Sequence, residues 1–281
     1  MKTTVALVGA GGKMGTRLRR RLAVAADVRL LCCETAQPAA AVLRAEGLTV
    51  LPGPEALGAA DVTVFAVPDA LMGRVTAALV PQAKRGAVMI LLDPAAAVAG
   101  EVAVRDDLHY VVCHPCHPPL FGDQPNEEAR RDFFGGIAAT QDIVIANMAA
   151  SEEAFDTAEA LCRTMFAPVA DAHRVTVDQM AILEPAMAEV CAAAAAVLMK
   201  EALEEAVRRG VPRAAARSFM MGHAQIPLAI VFGAIDSPFS DAAKVAVEFG
   251  KRHLWQPTWR DVFEPAKVRA CIREMLHPEQ S

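Results

Sequence analysis

The sequence predicts an α/β protein, a doubly wound parallel sheet followed by an all-helical C-terminal domain. Two changes of texture carry this. From Thr3 to about Ala150, short β-branched runs alternate with Ala- and Leu-rich helical stretches, the rhythm of βαβ units around a parallel sheet. After Asn147 those runs give way to long stretches of Ala, Leu, Glu, Met and Arg, which favour helix by propensity and by period. The expected domains are residues 1–148 and 149–281.

The strands expected in the first domain are Thr4–Val8, Val28–Cys33, Asp61–Val67, Ala87–Leu92, His109–Cys113 and Asp142–Ala146. Most are continuously apolar, as strands covered by helices on both faces should be. In the second domain, Ser151 followed by Glu152 and Glu153 reads as an N-cap with acidic first-turn residues, opening a helix to about Met165. A much longer helix is expected from Val175 to Arg209, stopped by Gly210 with Pro212 beyond. Its length exceeds what one small domain needs, so part of it is expected to pack on a second subunit in a homodimer.

Composition narrows the functional classes. The chain has 281 residues, 54% hydrophobic and 22% charged, a globular balance. Its net charge of −5 leaves no basic surplus for a nucleic-acid backbone. Arg17, Arg19, Arg20 and Arg21 form a short basic run, read as a solvated helix face without assigned function. The N-terminus enters a strand without the regions of a signal peptide. Seven cysteines, an odd number, read as reduced thiols in the cytoplasm. Val190 to Met199 is flanked by Glu189, Lys200 and Glu201 and is too short to span a bilayer, so it reads as a buried helix and no membrane partner is expected.

The first strand runs into Gly9-Ala10-Gly11-Gly12-Lys13-Met14-Gly15 and then a helix, the order of a Rossmann nucleotide site. Backbone without Cβ atoms at Gly9, Gly11 and Gly12 lets a pyrophosphate approach the amides of the helix N-terminus, with Lys13 and Met14 in the same turn. The strict G-x-G-x-x-G frame fails at Met14, and a three-residue spacing of Gly9, Gly12 and Gly15 takes its place. That variant resembles the turns of dihydrodipicolinate reductases and prephenate dehydrogenases. Glu34, at the end of the second strand, is placed to accept hydrogen bonds from an adenosine ribose diol and to repel a 2′-phosphate. The cofactor expected is NAD, and the lack of an adjacent Arg supports it. Asp61–Val67 ends in Pro68 and Asp69, expected to line the nicotinamide side of the crevice.

The most unusual segment is Cys113-His114-Pro115-Cys116-His117-Pro118-Pro119. As a haem-attachment string it would collide with a dinucleotide fold. A redox Cys-x-x-Cys needs the pair to open a helix, which Pro118 and Pro119 forbid. The third reading places His114 and His117 at the carboxyl end of a strand, where they bind a metal or relay a proton. Distant ligands are then required. Glu184 stands out, in an apolar helical stretch next to Pro185, because a buried carboxylate is costly without a metal, a cation or a donor. A second cluster, Gly222-His223-Ala224-Gln225-Ile226-Pro227, sits where a helix is expected to break before Pro227, and His223 and Gln225 are candidates to hydrogen-bond a polyhydroxylated substrate. Asp241, Lys244, Lys251 and Trp255 are read as surface or packing residues.

Taken together, the Gly-Gly-Lys-Met-Gly turn, His-Pro-Cys-His-Pro-Pro, Glu184-Pro185 and Gly-His-Ala-Gln-Ile-Pro give a chain that resembles the D-apionate oxidoisomerase family, which is phosphogluconate-dehydrogenase-like. The resemblance covers nearly the whole length. It implies oxidation of the branched sugar acid D-apionate by NAD, then an α-ketol shift to 3-oxo-isoapionate. It also implies a divalent metal held by a histidine and a glutamate, carried here onto His114 and Glu184, with zinc as first choice and calcium or manganese as alternatives. His117 is the candidate base, and His223 a second catalytic candidate. The 6-phosphogluconate and β-hydroxyacid dehydrogenases use a lysine on their long interdomain helix, yet Val175 to Met199 contains none. Two other functions stay open at this level: a metal-independent dehydrogenase of another small hydroxy acid, and a non-catalytic NAD-binding redox sensor.

Overall fold

The computed structural model describes residues 2–280; the first and last residues, at which the two expected domains begin and end, lie outside it. The chain forms two compact units. One is built by the chain up to Glu184 together with the segment from Arg269 onward, and the other is Pro185–Val268.

The first unit is centred on a seven-stranded sheet of β1 (Thr3–Val8), β2 (Val28–Cys33), β3 (Val62–Phe65), β4 (Val88–Leu91), β5 (His109–His117), β6 (Gln141–Ala149) and β7 (Val169–Val175), in the order β2-β1-β3-β4-β5-β6-β7. Five strands, β2 to β5 in that order, run parallel; β6 is antiparallel to β5, and β7 is parallel to β6. The helices of this unit are α1 (Lys13–Leu22), α2 (Gln37–Ala45), α3 (Gly53–Ala59), α4 (Asp69–Leu79), α5 (Ala95–Val98), α6 (Glu127–Arg131) and α7 (Glu152–Met165). Val5, Leu7, Val64 and Ile90 share one apolar cluster with Leu18 and Leu22 of α1 and Phe155 and Leu161 of α7. Ala6, Phe65, Met89 and Leu91 share the other with Leu57 of α3 and Met72 of α4. The sheet is thus covered on both faces, which is why its central strands read as unbroken apolar runs.

Several expectations need correction. The helical second half contains β7, whose sequence Val-Ala-Asp-Ala-His-Arg-Val lies half-exposed at the sheet edge and therefore carries no continuous apolar signal. The division expected after residue 148 moves, because α7 packs on the sheet and β7 extends it. β5 does not stop at Cys113 but continues through Pro115 to His117. The second half of the expected long helix is not buried within this chain.

That helix spans Val177–Arg208, opened by a capping box in which Thr176 and Gln179 satisfy each other's backbone amides. It comprises α8 (Val177–Ala181), a π-helical stretch (Ile182–Ala193) and α9 (Ala194–Arg208). Pro185 has no N–H to give the ladder, and the widened π turn accommodates it. Only 11% of its most apolar 18-residue window is buried, and at a mean hydropathy of 1.7 the helix is also long and apolar enough to cross a bilayer. In the second unit, α10 (Arg213–Val231) runs through Pro227 instead of breaking before it, and α11 (Asp241–Leu254) follows; α12 (Pro265–Leu276) lies towards the C-terminus. Neither α9 nor α11 buries a residue.

Candidate functional site

The chain steps from β1 to β2 on one side and then crosses back past β1 to β3 on the other, so a crevice opens beyond the carboxyl ends of β1 and β3. Gly9 ends β1 with φ +80, and a Cβ there would collide with the Ala66 carbonyl beyond β3. Gly12 is the N-cap of α1, and no side chain caps that helix. The amides of its first turn therefore face the crevice unspent, beside the positive end of the helix dipole. Lys13 is exposed at the first helical position, while Met14 packs on the core, so the failed third glycine is a packing residue.

Glu34 lies directly after β2 and is held before any ligand arrives. Its carboxylate accepts the Gly11 amide at 2.9 Å and the Ala36 amide at 2.9 Å. A Cβ on Gly11 would stand 2.7 Å from the Glu34 oxygen, so this glycine serves the acid's seat. Gly9, Gly12, Glu34 and Pro68 line one cavity of about 670 Å³. Arg74 of α4 lines it too, brought there by helical spacing from Leu71, although no Arg is adjacent to Glu34 in the sequence.

Beyond β4 and β5 a second group assembles. Nδ1 of His114 donates to the Leu92 carbonyl at 2.7 Å, since a carbonyl can only accept. The other ring nitrogen, Nε2, then presents its lone pair 3.5 Å from Glu184 Oε2. Asp93 joins them, with one donor atom from each of the three within 4.8 Å of the others. Two acceptors aimed at each other beside a second carboxylate require a proton or a cation between them. Glu184 is thus half-buried against His114, not isolated among side chains that cannot pair with it. Asp69 feels the same group: burial first, then the Asp93 charge, push its carboxyl up to about 6.

Sequence reasoning missed Asp93. Leu92-Asp93-Pro94 reads as an ordinary strand end, and only the β4–β5 adjacency carries it to His114; the signal available was a carboxylate directly after a central strand.

His117 reaches this side by a bulge. In strict alternation residues 114 and 117 point to opposite faces. Opposite the single step from Ile143 to Asp142, β5 takes two, from Pro115 to His117, which leaves Cys116 unpaired in the ladder and returns His117 to the face of His114. The two rings lie 6.0 Å apart. His117 has φ 61, and its Nδ1 donates to the Phe134 carbonyl at 2.9 Å, which leaves Nε2 as a basic atom. Burial pushes the Cys113 thiol far up and, with the charges of Asp142 and Glu184, raises Cys116 to about 11, so neither offers a thiolate near neutrality. His223 lies in the second unit, exposed on α10, with Nδ1 donating to the Phe219 carbonyl at 3.0 Å and its ring stacked on Phe219; Gln225 is exposed two residues on.

With this geometry in place, the chain's similarities are informative. Residues 122–276 match the family model described as phosphogluconate dehydrogenase (decarboxylating) C-term. A D-apionate oxidoisomerase from Cupriavidus necator is 44% identical over 276 residues, 98% of this chain and 100% of that protein. One from Rhizobium rhizogenes is 43% identical, covering 97% of this chain and 99% of that protein. Among solved structures, a semialdehyde dehydrogenase NAD-binding protein from Cupriavidus necator, in complex with calcium and NAD, superposes with a TM-score of 0.94 at 44% identity, covering 98% of this chain and 100% of that one.

Proposed function

Because the chain belongs to the D-apionate oxidoisomerase family, we propose that it oxidises D-apionate at C2 with NAD and rearranges the product to 3-oxo-isoapionate. It is an NAD-dependent oxidoreductase. The single observation that carries the metal-assisted reading is the His114–Glu184 pair, whose facing acceptor atoms and Asp93 neighbour form a donor set for a divalent ion.

The residues fit both groups. The uncapped first-turn amides of α1 take the pyrophosphate, Glu34 takes the ribose diol, and Pro68 lines the same cavity. His114 and Glu184 hold the metal; one imidazole with carboxylate oxygen accepts zinc, the choice made from sequence, and also manganese or calcium, the ion in the Cupriavidus relative. When bound, NAD accepts the hydride and the divalent ion supplies Lewis acidity to the substrate's vicinal oxygens. His117 Nε2 takes the proton of the C2 hydroxyl during oxidation, and the Phe134 carbonyl, by accepting from Nδ1, orients the ring for it. Asp69 lies close enough to the metal group to feel its charge and borders the nicotinamide side. His223, exposed on α10, keeps its reading as a group able to hydrogen-bond a polyhydroxylated ligand. The following shift moves a carbon substituent from C3 to C2 and turns the C3 carbinol into a ketone, with no net change in oxidation level.

The exposed apolar faces of α9, α10 and α11, carrying Leu198, Phe219 and Phe249, favour a homodimer in which a second copy covers them. A reducing cytoplasm suits the cysteines, none of which forms a disulfide among the described residues.

The deciding experiment is NMR of D-apionate incubated with enzyme and NAD. Stoichiometric NADH and 3-oxo-isoapionate are expected; NADH with an unrearranged 2-oxo acid would reduce the activity to simple dehydrogenation.

A further inference from the structure

The basic run Arg17, Arg19, Arg20 and Arg21 reads from sequence as a solvated helix face, and three of its members bear that out or are otherwise engaged. Arg19 forks onto Glu46. Arg20 is exposed. Arg21 donates to the carbonyls of Gly136 and Ile137, fastening the segment after α6 to α1.

Arg17 differs. It is half-buried, its guanidinium lies 4.1 Å above the ring centroid of Phe134, and among the described residues it has no hydrogen bond or ion pair. Asp132, the acid whose titration it influences, is spent elsewhere: one carboxylate oxygen accepts the amides of Ile137, Ala138 and Ala139 at 2.9, 2.9 and 3.2 Å. A stacked guanidinium keeps its in-plane N–H donors, and stacking fixes the plane in which they point.

Phe134 ties this cation to the site. Its carbonyl accepts the His117 Nδ1 hydrogen, and its ring stands edge-on to His117 at 5.8 Å; His117 in turn is 6.0 Å from His114. Arg17 therefore belongs to the wall that carries the base. Around His114 the charge is negative, from Asp69, Asp93 and Glu184. A sugar acid reaches these residues as an anion, and a fixed fork of donors on the His117 side is the group that would turn its carboxylate away from those acids.

We propose that Arg17 recognises the carboxylate of the substrate and so sets the preference for sugar acids over neutral polyols. This rests on the sugar-acid reading above. An anionic oxygen can also come from the cofactor's pyrophosphate, but that group has the first-turn amides of α1, whereas Arg17 sits more than a turn further along and stacks toward His117. A planar carboxylate matches the guanidinium fork in two parallel hydrogen bonds.

The test compares Arg17→Met, which keeps a stem over Phe134 without charge, with Arg17→Lys, which restores charge without the fork. Steady-state constants are measured with D-apionate, NAD affinity by fluorescence titration, and inhibition by the neutral amide of D-apionate. Arg17→Met should raise KM for D-apionate by about 10- to 100-fold, with kcat within about threefold and NAD affinity within about twofold. Arg17→Lys should recover part of that loss, and the amide should inhibit all three proteins equally. An unchanged KM overturns the proposal. So does NAD affinity falling by the same factor, which would assign Arg17 to the pyrophosphate, or an equal loss of amide inhibition, which would make its role structural. A wild type that oxidises another aldonate but not D-apionate overturns the substrate reading alone, and Arg17 is then judged with that aldonate. Inertness toward every sugar acid overturns both.

Discussion

His114 and Glu184 face each other through acceptor atoms 3.5 Å apart, because the Leu92 carbonyl consumes the only hydrogen that the neutral imidazole carries. Removing either carboxylate that flanks this lone pair should release the ion. After dialysis, the wild type should retain about one equivalent of divalent metal by elemental analysis, and Glu184→Gln and Asp93→Asn should each bind it at least about 10- to 100-fold more weakly. Equal metal in all three proteins, including none, would leave His114 and Glu184 as an ion pair through a protonated imidazole.

The acid at the end of β2 is seated by the glycine turn, so two different substitutions should have one consequence. Glu34→Gln removes the charge, while Gly11→Ala drives a methyl group against the carboxylate. Each should weaken NAD by about tenfold in fluorescence titration, the scale of one or two charge-assisted hydrogen bonds. Glu34→Ser should also narrow the preference for NAD over NADP, since Arg74 lines the same cavity. A wild type that binds the two dinucleotides equally would overturn the assignment of Glu34 as the discriminating group.

His117→Asn separates chemistry from backbone strain, because asparagine tolerates the positive φ of this position better than most residues. The variant should melt within a few degrees of the wild type, yet lose about 10²- to 10⁴-fold in kcat with little change in KM. Substantial residual turnover would place the base elsewhere.

Asp69 gives a pH dependence with a definite sign. Burial and the Asp93 charge raise its folded value from 3.8 to about 6. Between those values the folded protein holds a proton that the unfolded chain has released, so the stability contributed by this group is complete below 3.8 and is lost as pH rises through 6. In metal-stripped protein, Asp69→Asn should melt a few degrees above the wild type at pH 8, and the gap should close by pH 4. A constant gap across that range would show that the substitution acts through packing.

The uncovered helices predict an assembly. At micromolar concentration the wild type should sediment as a dimer, and Leu198→Glu or Phe219→Glu should shift it toward monomer by placing a charge on an apolar exposed face. A monomeric wild type, or partition into detergent or lipid without dimerisation, would mean that another surface covers them.

Much of the nucleotide site is legible in the chain. Gly9, Gly12 and Glu34 are close in sequence, so a strand, a turn and a strand end suffice to bring them together. His114 and Glu184 are distant, and each is visible for a local reason: one for an uncommon Cys-His-Pro string, the other as a carboxylate among alanines and methionines. Asp93 has no such local oddity and becomes visible only when β4 is placed beside β5. The antiparallel turn of β6 was equally hidden, since hydrogen-bond direction leaves no trace in side-chain periodicity. The helix after Glu184 illustrates a different limit: an apolar face announces that something must cover it, but not whether the cover belongs to the same chain.

Cys116 is best understood as arithmetic. It is the supernumerary position of β5, so shortening the segment by this one amino acid would repair the pairing with β6 and turn the imidazole at 117 away from that at 114. Its thiol is dispensable for that purpose and its place in the count is not. Serine or alanine there should leave the two histidines as neighbours, whereas a deletion should part them while the ladder itself becomes more regular.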